Sequence, residues 1–147
     1  MGFSLTNIFG KKNAKTQAED TVEAIINDIE TQPFGISNSN VLFAGLNELG
    51  GYYFFQTVIV GDFKIKTFKG IHLQLKGETG VMTLKSDTDE LESELTSVKG
   101  RYVTTVDFEV SDSNLETLKQ EKITEITVTE KSKNVVFTKY NNSDEEE

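Results

Sequence analysis

The sequence predicts a mainly β protein, with α+β as the neighbouring class. The expected architecture is an antiparallel meander of about six strands, an N-terminal amphipathic helix, a short helix near 113–120 and a C-terminal hairpin. Three observations carry this. From residue 53 onward apolar and polar residues alternate over consecutive segments, as they do in half-buried strands. Glycines fall between those segments, at Gly61, Gly70, Gly77, Gly80 and Gly100, where turns need backbone freedom. Near the start, Ala18, Val22, Ile25, Ile26 and Ile29 instead recur at helical spacing.

Composition bounds the function. A length of 147 residues suits one domain with a sizeable core, and ten Phe supply bulky packing. The formal charge of -9 argues against nucleic acid as a partner, because phosphate binding needs a basic footprint. With no cysteine there are no disulfides, thiolate metal sites or thiol nucleophiles. There is no apolar run long enough to cross a bilayer and no signal-peptide pattern at the start, so the expectation is a cytoplasmic protein without a transmembrane segment.

Residues 1–15 read as a flexible or docking arm. Met1, Leu5, Ile8 and Phe9 share a helical face, Lys11, Lys12 and Lys15 follow, and Gly2 with Thr6 fits a short myristoylation pattern. A reversible touch on a membrane is the sharper alternative for this arm. Residues 16–140 are expected to form one β-rich domain. It opens with a Thr16–Glu19 capping box and a helix that Pro33 ends, with an acidic outer face. Residues 35–51, rich in Ser, Asn and Gly, read as a loop.

The meander follows from pairing apolar residues with apolar ones, since a slip of one residue turns every side chain over. A strand at 53–60 closes at Gly61-Asp62, setting Val60 beside Phe63 and Val58 beside Ile65. A loop at Phe68-Lys69-Gly70 puts Ile65 beside Leu73, and one at 77–80 puts Leu75 beside Met82 and Leu73 beside Leu84. Residues 86–101 fit either a short helix with Leu91, Leu95 and Val98 on one face or a further strand. The strand is favoured, with Met82 facing Leu95 and Leu84 facing Ser93. After a turn at Lys99-Gly100, Leu95 faces Thr104, Ser93 faces Val106 and Leu91 faces Phe108. A Ser113–Glu116 capping box, strands near 122–129 and 134–140, and a disordered acidic tail at 141–147 complete the chain.

In that register the solvent face divides by charge. Lys64, Lys66, His72, Lys76 and Lys85 form a basic stripe fit for an anion or a partner, while Glu92, Glu94, Asp107 and Glu109 form an acidic half-face. Lys85 would oppose Glu92, with Glu92 beside Asp107 as the unfavourable neighbour. The bland reading of both stripes is a solvated surface.

Asp87, Asp89 and Glu90 are the candidates for a loose divalent-cation site, against a plain turn. An EF-hand starting at Asp87 fails because its sixth and twelfth positions hold Glu92 and Val98. His72 is the sole histidine and has no nucleophile or orienting acid beside it in sequence. The aromatic strand "GGYYFFQTVIV" is apolar on both sides, so the helix is expected to cover Tyr53, Phe55 and Ile59. The expected function is therefore a soluble, non-enzymatic protein-interaction module without a cofactor, acting on a protein partner or by self-association. The alternative is a carrier holding an apolar small molecule in a curved-sheet cavity; an enzyme comes third.

Overall fold

The computed structural model describes residues 21–140. In chain order these contain α1 (Val22–Asp28), β1 (Gly35–Ile36), β2 (Asn40–Leu49), β3 (Tyr52–Gly61), β4 (Lys66–Thr67), β5 (His72–Gly77) and β6 (Val81–Lys85). There follow β7 (Leu91–Glu92), β8 (Glu94–Leu95), β9 (Tyr102–Val110), α2 (Asp112–Gln120), β10 (Ile123–Glu130) and β11 (Lys133–Lys139). The described residues are mainly β and antiparallel, with two helices and a C-terminal hairpin; their strands are more numerous than the six or so expected.

Nine strands form one sheet in the order β6-β5-β10-β11-β1-β2-β3-β9-β8, and β4 pairs with β7 separately. The large sheet curls until its two sides meet. Ser86, just past β6, bridges Phe108 in β9, and the Asp87 N–H donates to the Asp107 carbonyl at 2.8 Å. Inside the curl lies one cluster of buried apolar side chains, among them Leu42, Phe55, Ile59, Leu73, Leu75, Phe108, Ile126 and Phe137. α2 adds Leu115 to it.

Three hairpins set the register. Gly50 and Gly51, with φ of +62° and +88°, turn β2 into β3 so that Leu49 opposes Tyr52. The β5–β6 hairpin has the expected register, with Leu75 opposite Met82 and Leu73 opposite Leu84. β10 slots between β5 and β11, placing Ile126 between Leu75 and Phe137.

The remaining pairings of the expected meander are not formed. β3 does not turn back at Gly61-Asp62; its neighbours are β9 and β2, a ten-residue strand within the stretch expected to be a loop. Two facts hide β2 in the sequence. Its first half is covered on both faces, so Val41, Leu42 and Phe43 are all buried and no alternation shows. Its second half, Ala44 to Leu49, is half-buried or exposed, with Gly45, Asn47 and Glu48 set among apolar residues. At the end of β3, the Asn40 side chain draws the chain across to β2. Asn40 Oδ1 accepts the Phe63 N–H at 2.9 Å, and Asn40 Nδ2 donates to Asp62 Oδ1 at 2.9 Å. A Cβ on Gly61 would lie 2.3 Å from Asn40 Oδ1, so the approach needs glycine.

Residues 62–71 therefore connect β3 to β5, keeping Phe63, Ile65 and Ile71 buried without pairing with β3. The segment 86–101 is neither a helix nor one strand. It forms β7 and β8 around Ser93, whose Oγ accepts the Ile65 N–H at 2.9 Å and lies 2.7 Å from Thr104 Oγ1. β8 pairs with β9 as Leu95 opposite Tyr102, two residues from the expected Thr104; an even slip keeps every side chain on its face. The expected pairing of Met82 with Leu95 is absent, and β6 stands at the end of the sheet order.

α1 starts later than the expected helix, at a Thr21 cap whose Oγ1 accepts the Ala24 N–H at 3.1 Å. It ends at Asp28, before Pro33; the Thr16–Glu19 capping box lies outside the described residues. Ile25 and Ile29 pack on Val41, Phe43 and Val60, the outer face of β2 and β3. So β3 is covered twice, as its composition implies, but Phe55 and Ile59 point into the curl and it is Val58 and Val60 that lie under the helix. At the lower edge of this layer Arg101 Nη1 donates to Asp28 Oδ2 at 2.8 Å, with both side chains almost fully buried. α2 is capped by Ser111, which accepts the Asn114 N–H at 3.2 Å, two residues before the expected Ser113.

Candidate functional site

The sheet has a split along β11. β1 is two residues long, so only Gly35 and Ile36 pair with β11, opposite Lys139 and Thr138. The chain then turns away at Ser37, whose N–H donates to the Asn40 carbonyl at 2.8 Å and whose Oγ accepts the Asn40 N–H at 2.9 Å. Among the described residues β11 runs on without a neighbour on that side, past residues 137 to 134. Farther along, Lys133 Nζ crosses to the Lys64 carbonyl at 2.9 Å and sits 5.7 Å from the Phe63 ring centroid. The split is thus bounded at one end by β1 and at the other by a lysine bridge.

It opens as a groove of about 710 Å³. One wall is the 36–40 turn with Asp62, the other β11 from Asn134 to Thr138. Asp62 is held in place through one oxygen, since Ser39 Oγ and Asn40 Nδ2 both donate to Oδ1 at 2.9 Å. Its Oδ2 has no protein partner among the described residues. Backbone groups add to the wall. Along an antiparallel strand, N–H and C=O groups point alternately to the two neighbours. The Tyr140 N–H donates to the Phe34 carbonyl, so the even residues of β11 face the β1 side. Beyond Thr138, this aims the N–H and C=O of Val136 and Asn134 into the groove, and neither residue has a β1 partner. The lining sets hydroxyls, amides, an open strand edge and one carboxylate beside the apolar Ile36, Val135 and Val136, which suits hydrogen bonding to a ligand that also has apolar side chains.

The basic stripe is divided between two sheets. His72 opposes Lys85 across β5–β6, and Lys76 lies opposite Glu125 in β10, all on the exposed outer face. Lys85 is engaged with Asp89 at 2.9 Å. Lys66 sits in β4 opposite Glu92 of β7, and Lys64 Nζ lies 5.2 Å from the Tyr102 ring centroid. The acidic residues separate likewise. Glu94 opposes Val103, whereas Asp107 and Glu109 stand on β9 opposite Gln56 and Phe54. Lys66, not Lys85, is the cross-strand partner of Glu92. Among the described residues no three His, Cys, Asp or Glu side chains converge to hold a metal ion, so Asp87, Asp89 and Glu90 do not form a cluster.

Sequence reasoning missed the groove. Ser37, Asn38, Ser39 and Asn40 have loop composition, and nothing in the sequence says that Asp62 would meet them. The available signal was Val135-Val136-Phe137: three consecutive apolar residues in a strand force one outward, and Val136 is 49% exposed.

No helix among the described residues is long and apolar enough to cross a membrane. Comparison of the chain with protein-family models, curated proteins and solved structures finds no match.

Proposed function

We propose that the protein is a non-enzymatic, cytoplasmic interaction module that captures a polypeptide partner in the groove beside β11. The observation supporting this is the split itself: strand-edge donors and acceptors, fixed polar side chains and a half-engaged carboxylate lie together in one cleft. A buried strand edge left unpaired is costly, whereas an open one is a ready template for another chain. The charge-divided surface expected from sequence is spread over several elements, so the groove is the better seat for a partner.

Display of random short peptides tests this, using the wild-type chain and a groove-filling variant, Asn38→Trp. Peptides enriched on the wild type and lost on the variant support the module; equal enrichment on both, or none, moves the function elsewhere. The carrier reading would need a ligand to displace the apolar side chains that fill the curl. Saturable binding of an environment-sensitive apolar dye, unchanged by Asn38→Trp, would favour it.

A further inference from the structure

Resting on the binding-module reading, we infer that the groove takes an extended peptide by strand addition to β11, with a lysine or arginine of the peptide on Asp62. Four observations converge. Val136 and Asn134 present backbone N–H and C=O groups at the two-residue spacing that an added strand reads. The free stretch from 134 to 137 is about 10 Å at the usual strand rise, room for three or four peptide residues. Val136 stands 49% exposed on the outer face, where a β-branched or aromatic peptide side chain would cover it as a cross-strand neighbour. Among the described residues that line the groove Asp62 is the one charged side chain, its Oδ2 has no partner among them, and the chain carries a net charge of -9. An acidic or phosphorylated segment would meet repulsion there; a basic one gains a charge-assisted hydrogen bond.

Other edges compete with β11. β8 is a terminal strand of only two residues. β2 runs on past its pairing with β1 at Val41 and Leu42 into a half that is half-buried or exposed and lies outside the groove. β6 ends the sheet, and the Ser86 N–H donating to the Ile71 carbonyl shows that its even residues face β5, leaving Val81 and Thr83 directed outward. Among the described residues the β6 edge carries Lys85, already paired with Asp89, whereas β11 faces the half-engaged Asp62 carboxylate. β11 is therefore the assigned edge.

The test is fluorescence anisotropy with two labelled peptides, Thr-Val-Lys-Val-Thr and Thr-Val-Glu-Val-Thr, on the full chain. Val136→Pro removes the N–H aimed at the groove without breaking a β10–β11 bond, and Thr83→Pro does the same at the β6 edge. Asp62→Asn keeps the Oδ1 acceptor for Ser39 and Asn40 while removing the charge. The Lys peptide should bind the wild type and Thr83→Pro but not Val136→Pro. Asp62→Asn should weaken it about tenfold and erase its advantage over the Glu peptide.

N-methylating alternate amides of the Lys peptide should abolish binding to the unaltered chain, a control that no folding defect can mimic. Binding that survives Val136→Pro, is lost with Thr83→Pro, or tolerates N-methylation would overturn strand addition. So would self-association through β11 with no peptide bound. If the labelled peptides fail while display still enriches ligands sensitive to Asn38→Trp, strand addition falls and the module reading stands. If both fail, the module reading falls with it.

Discussion

Replacing Arg101 with Met strands the Asp28 carboxylate in a dry layer between α1 and the sheet. The two side chains are 1% and 4% exposed and meet at 2.8 Å, beside Ile25, Ile29 and Val60. Neither charge can recover its hydration without the helix lifting off. Removing one partner of such a pair destabilises by about 3–5 kcal/mol, chiefly by leaving the other charge uncompensated. A domain of this size holds only about 5–15 kcal/mol in total. Arg101→Met should therefore forfeit a large part of the stability, and Asp28→Leu should destabilise too by removing the carboxylate that the guanidinium meets. The double variant leaves no carboxylate uncompensated and should therefore recover part of the loss. Urea unfolding followed by circular dichroism reads all four proteins and closes the cycle. Single variants that cost less than about 1 kcal/mol, or a double variant as damaged as the sum of the singles, would refute the reasoning.

Other outcomes follow from the same structure. Gly45 lies in the middle of β2 with nothing among the described residues within 4 Å of where a Cβ would stand, so Gly45→Thr should raise stability by up to about 1 kcal/mol in the same urea assay. Glu121 latches the β5–β6 turn through its carboxylate, which accepts the Thr79 N–H at 2.8 Å and the Thr79 hydroxyl at 2.7 Å. These bonds hold its pKa below the ordinary glutamate value. Its contribution is then present above the unfolded-state pKa and is lost as pH falls through the folded one, which a carboxyl NMR titration checks. Glu121→Gln should flatten that part of the stability profile. Glu92 and Glu94 are exposed, and changing both to Ala should move stability by no more than about 0.5 kcal/mol; a larger loss would mean that the two acids have a structural role.

Side-chain alternation recorded which residues face the core but not which strands lie side by side. Phe63 and Ile65 alternate with Lys64 and Lys66 as a hairpin partner of β3 would, yet they pack inward from a connection. The β5–β6 and β10–β11 hairpins were legible because their turns are short and each buries one face. β2 was not, because α1 covers half of it and the other half, with Gly45, Asn47 and Glu48 among apolar residues, is half-buried or exposed. The charge-divided face depended in part on the missed pairings: His72, Lys76 and Lys85 keep a shared face on β5–β6, while Lys64, Lys66 and the acidic residues lie elsewhere. The groove depends on a tertiary accident of lengths: β1 stops after two residues while β11 continues, and Asn40 brings Asp62 to the opening.

Amide hydrogen exchange along β11 tests the open edge most directly. If the split is as described, Val135 and Phe137, which face β10, exchange slowly in the free protein, while Asn134 and Val136 exchange much faster. Adding the Lys peptide should then slow Asn134 and Val136 selectively. Uniform protection along residues 134–137 in the free protein would mean that the edge is already paired, and the proposed binding site would not exist.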